Sequence, residues 1–381
     1  MTAQRLEKDG SGYFLYHSIG QYPGKAEDIA AAMTEFAGVW GAPDDGQWSA
    51  ILGRRAEFIE HWRRLIGAPE GTVTTSENVT AALYALIGAL PGKHLKGRKL
   101  LVAGDCFPSL HFLLTALAPR FGFSLETVPL RQGASYVEDE DVIAQWDETV
   151  GLALLTWVSS TSSHRADIAA LTAHGRKMGS LVGVDITQAA GLLPFSVNEP
   201  AVDFTISTSL KWMCGTPGAG ILHVASELIA ACEPEFRGWF SQENPFSWDL
   251  DKFHYASDIR RFDNGTPSVV SALASLPAMR WHAAQDQQAL LAHNRALSDA
   301  IFAGIEGLPF SLVSPRDDNA RGGSVMIRLE DSQTAEGLLS TLRDRGIYAD
   351  RRDALLRFSP GPVTTMDGVA VLVDAMRTHL S

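Results

Sequence analysis

From Pro69 to Val224 the chain repeats one pattern: a short apolar run, a polar turn, then a helical stretch. TVTTS leads into NVTAALYALIGAL, KLLVAGD into FPSLHFLLTALAPRFG, and GLALLTWVS into DIAALTAHGRKMG; LETVPL, LVGVD, FTISTS and GAGILHV read as further strands. Parallel neighbours need a crossover connection, usually a helix, so the alternation predicts an α/β fold with a mostly parallel sheet flanked by helices on both faces. The polar residues gather after the C-terminal ends of the strands: Ser76 to Asn78, Asp105 to Ser109, Ser159 to Ser163, Asp185 to Gln188, and Lys211. In an open α/β sheet that edge is where ligands bind.

A chain of 381 residues exceeds one typical core, which predicts a large body and a smaller one. Residues 1–25 read as an arm ending in a Gly- and Pro-rich turn, residues 26–270 as the large domain, and residues 271–381 as a linking helix followed by a small C-terminal α+β domain. Helices are expected from Lys25 to about Val39 and from Ile51 to Ile66, and one continuous helical stretch from Val269 to Ile305. A net charge of −12 argues against a nucleic-acid partner, whose footprint is basic. Three widely spaced cysteines, Cys106, Cys214 and Cys232, suit neither a disulfide framework nor a zinc site, and no metal is expected. The N-terminal residues lack an apolar signal core and no run reaches membrane-span length, so the expectation is a cytoplasmic protein with no membrane partner.

The chemistry concentrates between Gly183 and Val224. One apolar strand stops at Asp185, and a strand of alternating apolar and hydroxyl residues stops at Lys211. An acid and an amine at neighbouring strand ends suit pyridoxal phosphate (PLP), which needs a lysine to condense with its aldehyde and a carboxylate to keep its ring nitrogen protonated. Judged singly, a strand-end lysine is more often solvated and a strand-end aspartate more often a cap. Taken together, in order and with Gln188 close behind the acid, they favour the cofactor. Two glycine-rich stretches, GALPGKH and CGTPGAG, match neither the spacing of a P-loop nor that of a dinucleotide fingerprint.

The run from VDITQAAG to SLKW is similar to the Asp-x-x-Gln/His and Ser-x-x-Lys region of class V aminotransferase-fold, fold-type I PLP enzymes. AGDCFPS, RGWF, DIRRFDNGTPSV, RGGSV and DRGIYADRRDALLRFSPGPV further resemble kynureninases, and the likeness runs in order along nearly the whole chain. The resemblance implies the fold-type I architecture and assigns roles residue by residue. Lys211 would bond the cofactor, Asp185 would pair with its ring nitrogen and Phe107 would stack on the ring. Asn78 and Val79 at a helix start, with Thr208 and Ser209, would hold the phosphate. Gln188 and Trp239 would lie against the cofactor, and Thr266 would reach it across the interface of a homodimer. Arg357 would grip the carboxylate of an amino-acid substrate, with His17 and Ser18 of the arm nearby. For Asn78 a plain helix cap is an equally good reading, and for Phe107 and Trp239 a core position.

Departures from the kynureninase pattern are specific. Leu210 stands where kynureninases carry a tyrosine, Leu110 where they read Asp after Phe-Pro-Ser, Gln188 in place of a histidine, and His17-Ser18 where they read Gly-Asn-Ser. A serine and threonine run, SSTSS, replaces an asparagine near Ser159. The sequence thus favours a kynureninase-like lyase or hydrolase acting on a substrate other than kynurenine, with a class V aminotransferase and an inactive binding protein as alternatives. A desulfurase with a mobile cysteine is disfavoured, because no cysteine lies in the C-terminal domain.

Overall fold

A computed structural model describes residues 5–380; the first four residues of the expected arm lie outside them. In chain order the elements are α1 (Lys25–Trp40), α2 (Gln47–Leu65), β1 (Val73–Ser76), α3 (Val79–Ile87), β2 (Lys99–Ala103), α4 (Pro108–Phe121), β3 (Ser124–Val128), α5 (Asp139–Ala144), β4 (Val150–Thr156), α6 (Ile168–Met178), β5 (Leu181–Asp185), β6 (Phe204–Thr208), β7 (Gly220–Val224) and α7 (Ser226–Ala231). They continue with α8 (Val270–Ala283), α9 (Gln287–Gly304), β8 (Ser311–Leu312), β9 (Val325–Arg328), α10 (Ser332–Asp344), β10 (Asp350–Arg352), β11 (Leu355–Phe358) and α11 (Met366–Leu380).

Among the described residues seven strands form one sheet in the order β1-β7-β6-β5-β4-β2-β3, parallel from β6 through to β3 and antiparallel where β7 meets β6 and β1. The crossover helices cover both faces, which is why β4, β5 and β6 are buried nearly throughout. Side chains of a strand alternate between faces. On β4, Leu152 and Leu154 join a cluster with Leu83, Leu86, Leu110 and Leu114 of α3 and α4, while Ala153 and Leu155 join one with Phe58, Trp62, Ile168 and Met279. Each buried leucine contributes about 1.5–3 kcal/mol, so the strand's register is fixed from both sides. At Gly183 on β5, a Cβ would stand 1.9 Å from the Phe204 ring on β6. Any side chain there would force that pair apart.

The second sheet has the order β10-β11-β9-β8 and is antiparallel. The helical stretch expected to be continuous is two helices. α8 ends at Ala283, and Asp286 starts α9 by accepting a hydrogen bond from the Gln288 N–H. α8 packs on α1 and α2 and contributes Leu276 and Met279 to the core of the large sheet, whereas Leu297, Ile301 and Phe302 of α9 join the core of the small one. The chain therefore passes from the core of the large sheet to that of the small one at about residues 284–286.

The arm pairs with the second body and then crosses to the first. Tyr13 and Leu15 bridge in parallel to Tyr348 and Ser359, and the Gly20 N–H reaches the Leu210 carbonyl, 2.9 Å away. The backbones approach so closely here that a Cβ on Gly20 would lie 1.9 Å from the Lys211 carbonyl oxygen. Among the described residues no helix is long and apolar enough to cross a membrane, no cluster could hold a metal ion, and Cys106, Cys214 and Cys232 are free and buried.

Candidate active site

The C-terminal ends of β4, β5 and β6 open on a cavity of about 700 Å³. Its wall includes Asn78, Val79, Phe107, Asp185, Gln188, Thr208, Leu210 and Lys211. Eight positions flagged by the sequence, from four separate segments, thus meet in one place.

β5 carries Asp185 to the cavity floor, where it is buried and its Oδ1 accepts a 2.9 Å hydrogen bond from the Thr187 N–H. Burial raises its pKa; the hydrogen bonds of Thr187 and the positive charge of Lys211 oppose the rise. Lys211 sits on the loop after β6. Burial, opposed by Asp185 and aided by the charges of Arg357 and Arg352, brings its pKa down to about 8. Its Nζ makes no hydrogen bond or ion pair among the described residues and lies 5.3 Å from the centre of the Phe107 ring. An amine with this pKa is uncharged in about a tenth of molecules at pH 7, far more than an ordinary lysine, and the uncharged form is the nucleophile.

α3 points its start at the cavity. Asn78 accepts a hydrogen bond from the Ala81 N–H at 2.9 Å, so the cap reading holds and the residue also lines the cavity. Val79 and Thr80 follow it on the wall, with first-turn N–H groups that no helix satisfies internally. Replacing Asn78 with alanine is expected to cost about 1 kcal/mol of stability through the lost cap and to weaken anion binding at the same helix end. Thermal melts with and without inorganic phosphate or PLP would separate the two effects; a variant that melts like the wild type in both would refute them.

The other expected site residues lie elsewhere. Ser209 is fully buried with its Oγ accepting from the Trp62 indole N–H at 3.1 Å, away from the cavity wall. Trp239 packs on Phe240 and Phe246, and Thr266 is exposed beside a separate cleft with the Arg55–Asp263 ion pair. Within one chain neither reaches Lys211's cavity. Arg357 is behind the wall: its Nε and Nη2 donate to Asp350 at 2.9 and 2.6 Å, and its Nη1 donates to the carbonyl of Ser160, which does line the cavity. His17 is not on the wall either; its ring is sandwiched between Asp350 and Ser359, and burial pushes its pKa down to about 4 against the pull of Asp350. Ser18 turns back along the arm, its N–H bonded to the Leu15 carbonyl.

Sequence reasoning missed Asp350, Thr156, Tyr84 and Leu113. Asp350 lies directly opposite Arg357 in the β10–β11 pairing, a signal readable only once that hairpin's register is known. Tyr84 and Leu113 line the cavity from one turn inside α3 and α4, where the sequence shows only helical periodicity.

The residues fit PLP. The Thr208 and Thr156 hydroxyls are buried on the cavity with no partner among the described residues, a costly arrangement unless a ligand supplies one. The cavity has room for the cofactor together with a small substrate. Asn78, Val79, Thr80 and Thr208 would hold the phosphate, Phe107 would cover one face of the ring, Asp185 would meet its nitrogen and Lys211 its aldehyde.

Comparison with known proteins points the same way. Residues 55–350 match the family Aminotransferase class-V. A kynureninase of Burkholderia pseudomallei is 26% identical over 96% of this chain and 89% of its own length. An uncharacterized aminotransferase, YcbU, of Bacillus subtilis is 27% identical over 86% of this chain and 84% of its own. Among solved structures, the cysteine desulfurase CsdA of Escherichia coli superposes with a TM-score of 0.85 at 19% identity, covering 98% of this chain and 96% of that one. The cystine C-S lyase C-DES superposes with the same TM-score and identity, covering 96% and 97%. The match over most of the chain, with Lys211 and Asp185 on one cavity, means that this protein belongs to the aminotransferase class-V family of PLP-dependent enzymes.

Proposed function

We propose that the protein is a kynureninase-like lyase or hydrolase that breaks a side-chain bond of an amino acid other than kynurenine. The observation that carries this reading is the Lys211 amine, held down to about 8 and sharing a cavity with buried Asp185 and with Leu210. When bound, PLP supplies a protonated ring that draws electron density from the substrate's α-carbon. Asp185 keeps the proton on that ring. Phe107 holds the ring flat, and the α3 N-terminus with Thr208 anchors the phosphate. Lys211 Nζ removes the α-proton and can return it, and Arg357 orients the α-carboxylate. Tyr84, Leu113, Val158 and Leu210 give the cavity an apolar side that excludes water and suits an apolar substrate side chain.

A homodimer is part of this reading. Thr266 and Trp239 face away from their own chain's cavity and would serve the partner's. Phe246, Trp248 and Leu250, on the loop after Trp239, are strongly exposed, as expected of a surface that a second copy covers.

Leu210 also favours a second reading, an aminotransferase. Leu210 offers no proton to a departing side chain at the position where kynureninases carry a tyrosine, whereas transamination needs only Lys211 to carry the proton. Assays with kynurenine, and with amino acids paired with 2-oxo acids, decide between them. The lyase reading expects little anthranilate from the wild type and a gain of at least about 10-fold in Leu210→Tyr, at the low end of what a placed acid or base contributes. Efficient transamination, with no such gain, would replace it by the aminotransferase.

A further inference from the structure

His17 and Asp350 occupy one continuous hydrogen-bonded chain that runs from the small sheet to the cavity wall. The Ser324 and Ser359 hydroxyls are 2.6 Å apart, and the Ser359 hydroxyl lies 2.7 Å from His17 Nδ1. His17 Nε2 is 2.9 Å from Asp350 Oδ1, Asp350 takes two bonds from Arg357, and Arg357 Nη1 ends on Ser160, 3.1 Å away. Burial would raise the pKa of Asp350, but the hydrogen bonds from His17 and Arg357 hold it well below the usual carboxylate range. An ionised carboxylate only accepts, so His17 Nε2 carries the proton and Nδ1 accepts from Ser359. The histidine is neutral at physiological pH, with burial as the main cause.

The same residue also touches the cofactor side. The His17 carbonyl accepts from the Gln188 side-chain amide at 3.1 Å, and Gln188 lines the cavity. Two physical consequences follow for Arg357. Asp350 is shared with Arg352, whose Nη1 lies 3.4 Å from its Oδ2, so the group keeps a net positive charge that attracts a carboxylate as well as N–H groups to place it. A guanidinium gripped along its Nε–Nη2 edge cannot swing, so those N–H groups have one direction.

We propose that His17 and Asp350 are positioning residues that fix the guanidinium of Arg357 for the α-carboxylate of the amino-acid substrate. The inference rests on the functional reading above. It assigns to His17 a role other than substrate contact, and to Asp350 a role where the sequence suggested none.

The test measures what a carboxylate adds to binding. PLP-loaded wild type, Asp350→Ala, His17→Ala, His17→Gln and Arg357→Ala are titrated with two matched pairs, L-phenylalanine against phenethylamine and L-alanine against ethylamine, by the absorbance change of the bound cofactor. The wild type is expected to favour the amino acids, and Arg357→Ala to lose that preference. Asp350→Ala and His17→Ala should lower the amino-acid to amine affinity ratio by about 10-fold, the effect of misplacing a charge-assisted bond, with amine affinities within about twofold. His17→Gln, whose amide N–H can still donate to Asp350, should recover most of the ratio. If Asp350→Ala does not fold, Asp350→Asn takes its place.

Unchanged ratios in the His17 and Asp350 variants, or parallel weakening of amines and amino acids, would overturn the proposal. A wild-type ratio that Arg357→Ala leaves unaltered would overturn it by removing Arg357 from the carboxylate, with the PLP reading intact. A wild type that holds the visible band but responds to none of the four compounds would remove the amino-acid reading and this inference together. Absence of the band itself would instead be a failure of the functional reading.

Discussion

Lys211→Ala is expected to reduce turnover by at least about 10³-fold, the scale of loss when a residue that is both nucleophile and proton carrier is removed. The purified variant should retain PLP only through the phosphate cradle and Asp185, and should lose the visible band of a lysine-bound cofactor. The same amine makes a prediction for the unmodified protein. Stripped of cofactor, it should recapture PLP at a rate that climbs through about pH 8, where Lys211 loses its proton, and not near the ordinary lysine value. The sign follows from chemistry: only the neutral amine attacks an aldehyde, so capture is slow below the pKa and levels off above it. A rate still rising at pH 10, or a variant as coloured as the wild type, would remove Lys211 from the centre of the site.

Asp185→Asn comes second in size, with an expected loss in kcat of at least about 10²-fold while cofactor remains bound. An amide is nearly the same shape as the acid and can still accept from the Thr187 N–H, so the fold has little reason to suffer. What disappears is the negative charge that, in the proposed function, would keep the ring nitrogen protonated. Asp185 also raises the pKa of Lys211, so the variant's inflection for PLP capture should move to lower pH. A kcat near wild type, or an unmoved inflection, would show that the carboxylate does neither. Measuring both separates an electronic role from a packing one.

How much of this could be read in advance depended on the range of the interaction concerned. The alternation of strands and helices is local, and with it came the parallel sheet, its ligand-binding edge, and the convergence of Asp185, Lys211, Phe107 and Asn78. The break between α8 and α9 was less legible: the apolar periodicity carries across it, and only the capping hydrogen bond at Asp286 reveals that the helix restarts. The family resemblance assigns Ser209 to the phosphate with Thr208, yet neighbours on an extended chain point to opposite sides, and Ser209 faces Trp62. His17 and Asp350 lie far apart in sequence, and the arm meets the β10–β11 hairpin only in three dimensions. Nothing in either segment alone marks the pair.

The path of the arm has a consequence for biosynthesis. Tyr13 and Leu15 can pair with Tyr348 and Ser359 only after residue 359 has left the ribosome, and Gly20 is drawn onto the Lys211 loop by the same docking. The large sheet can form earlier, because its strands all precede residue 225. On a nascent chain Lys211 and Asp185 can thus sit at the sheet edge while the wall behind them is still missing, and the arm, made before the sheet, docks after it.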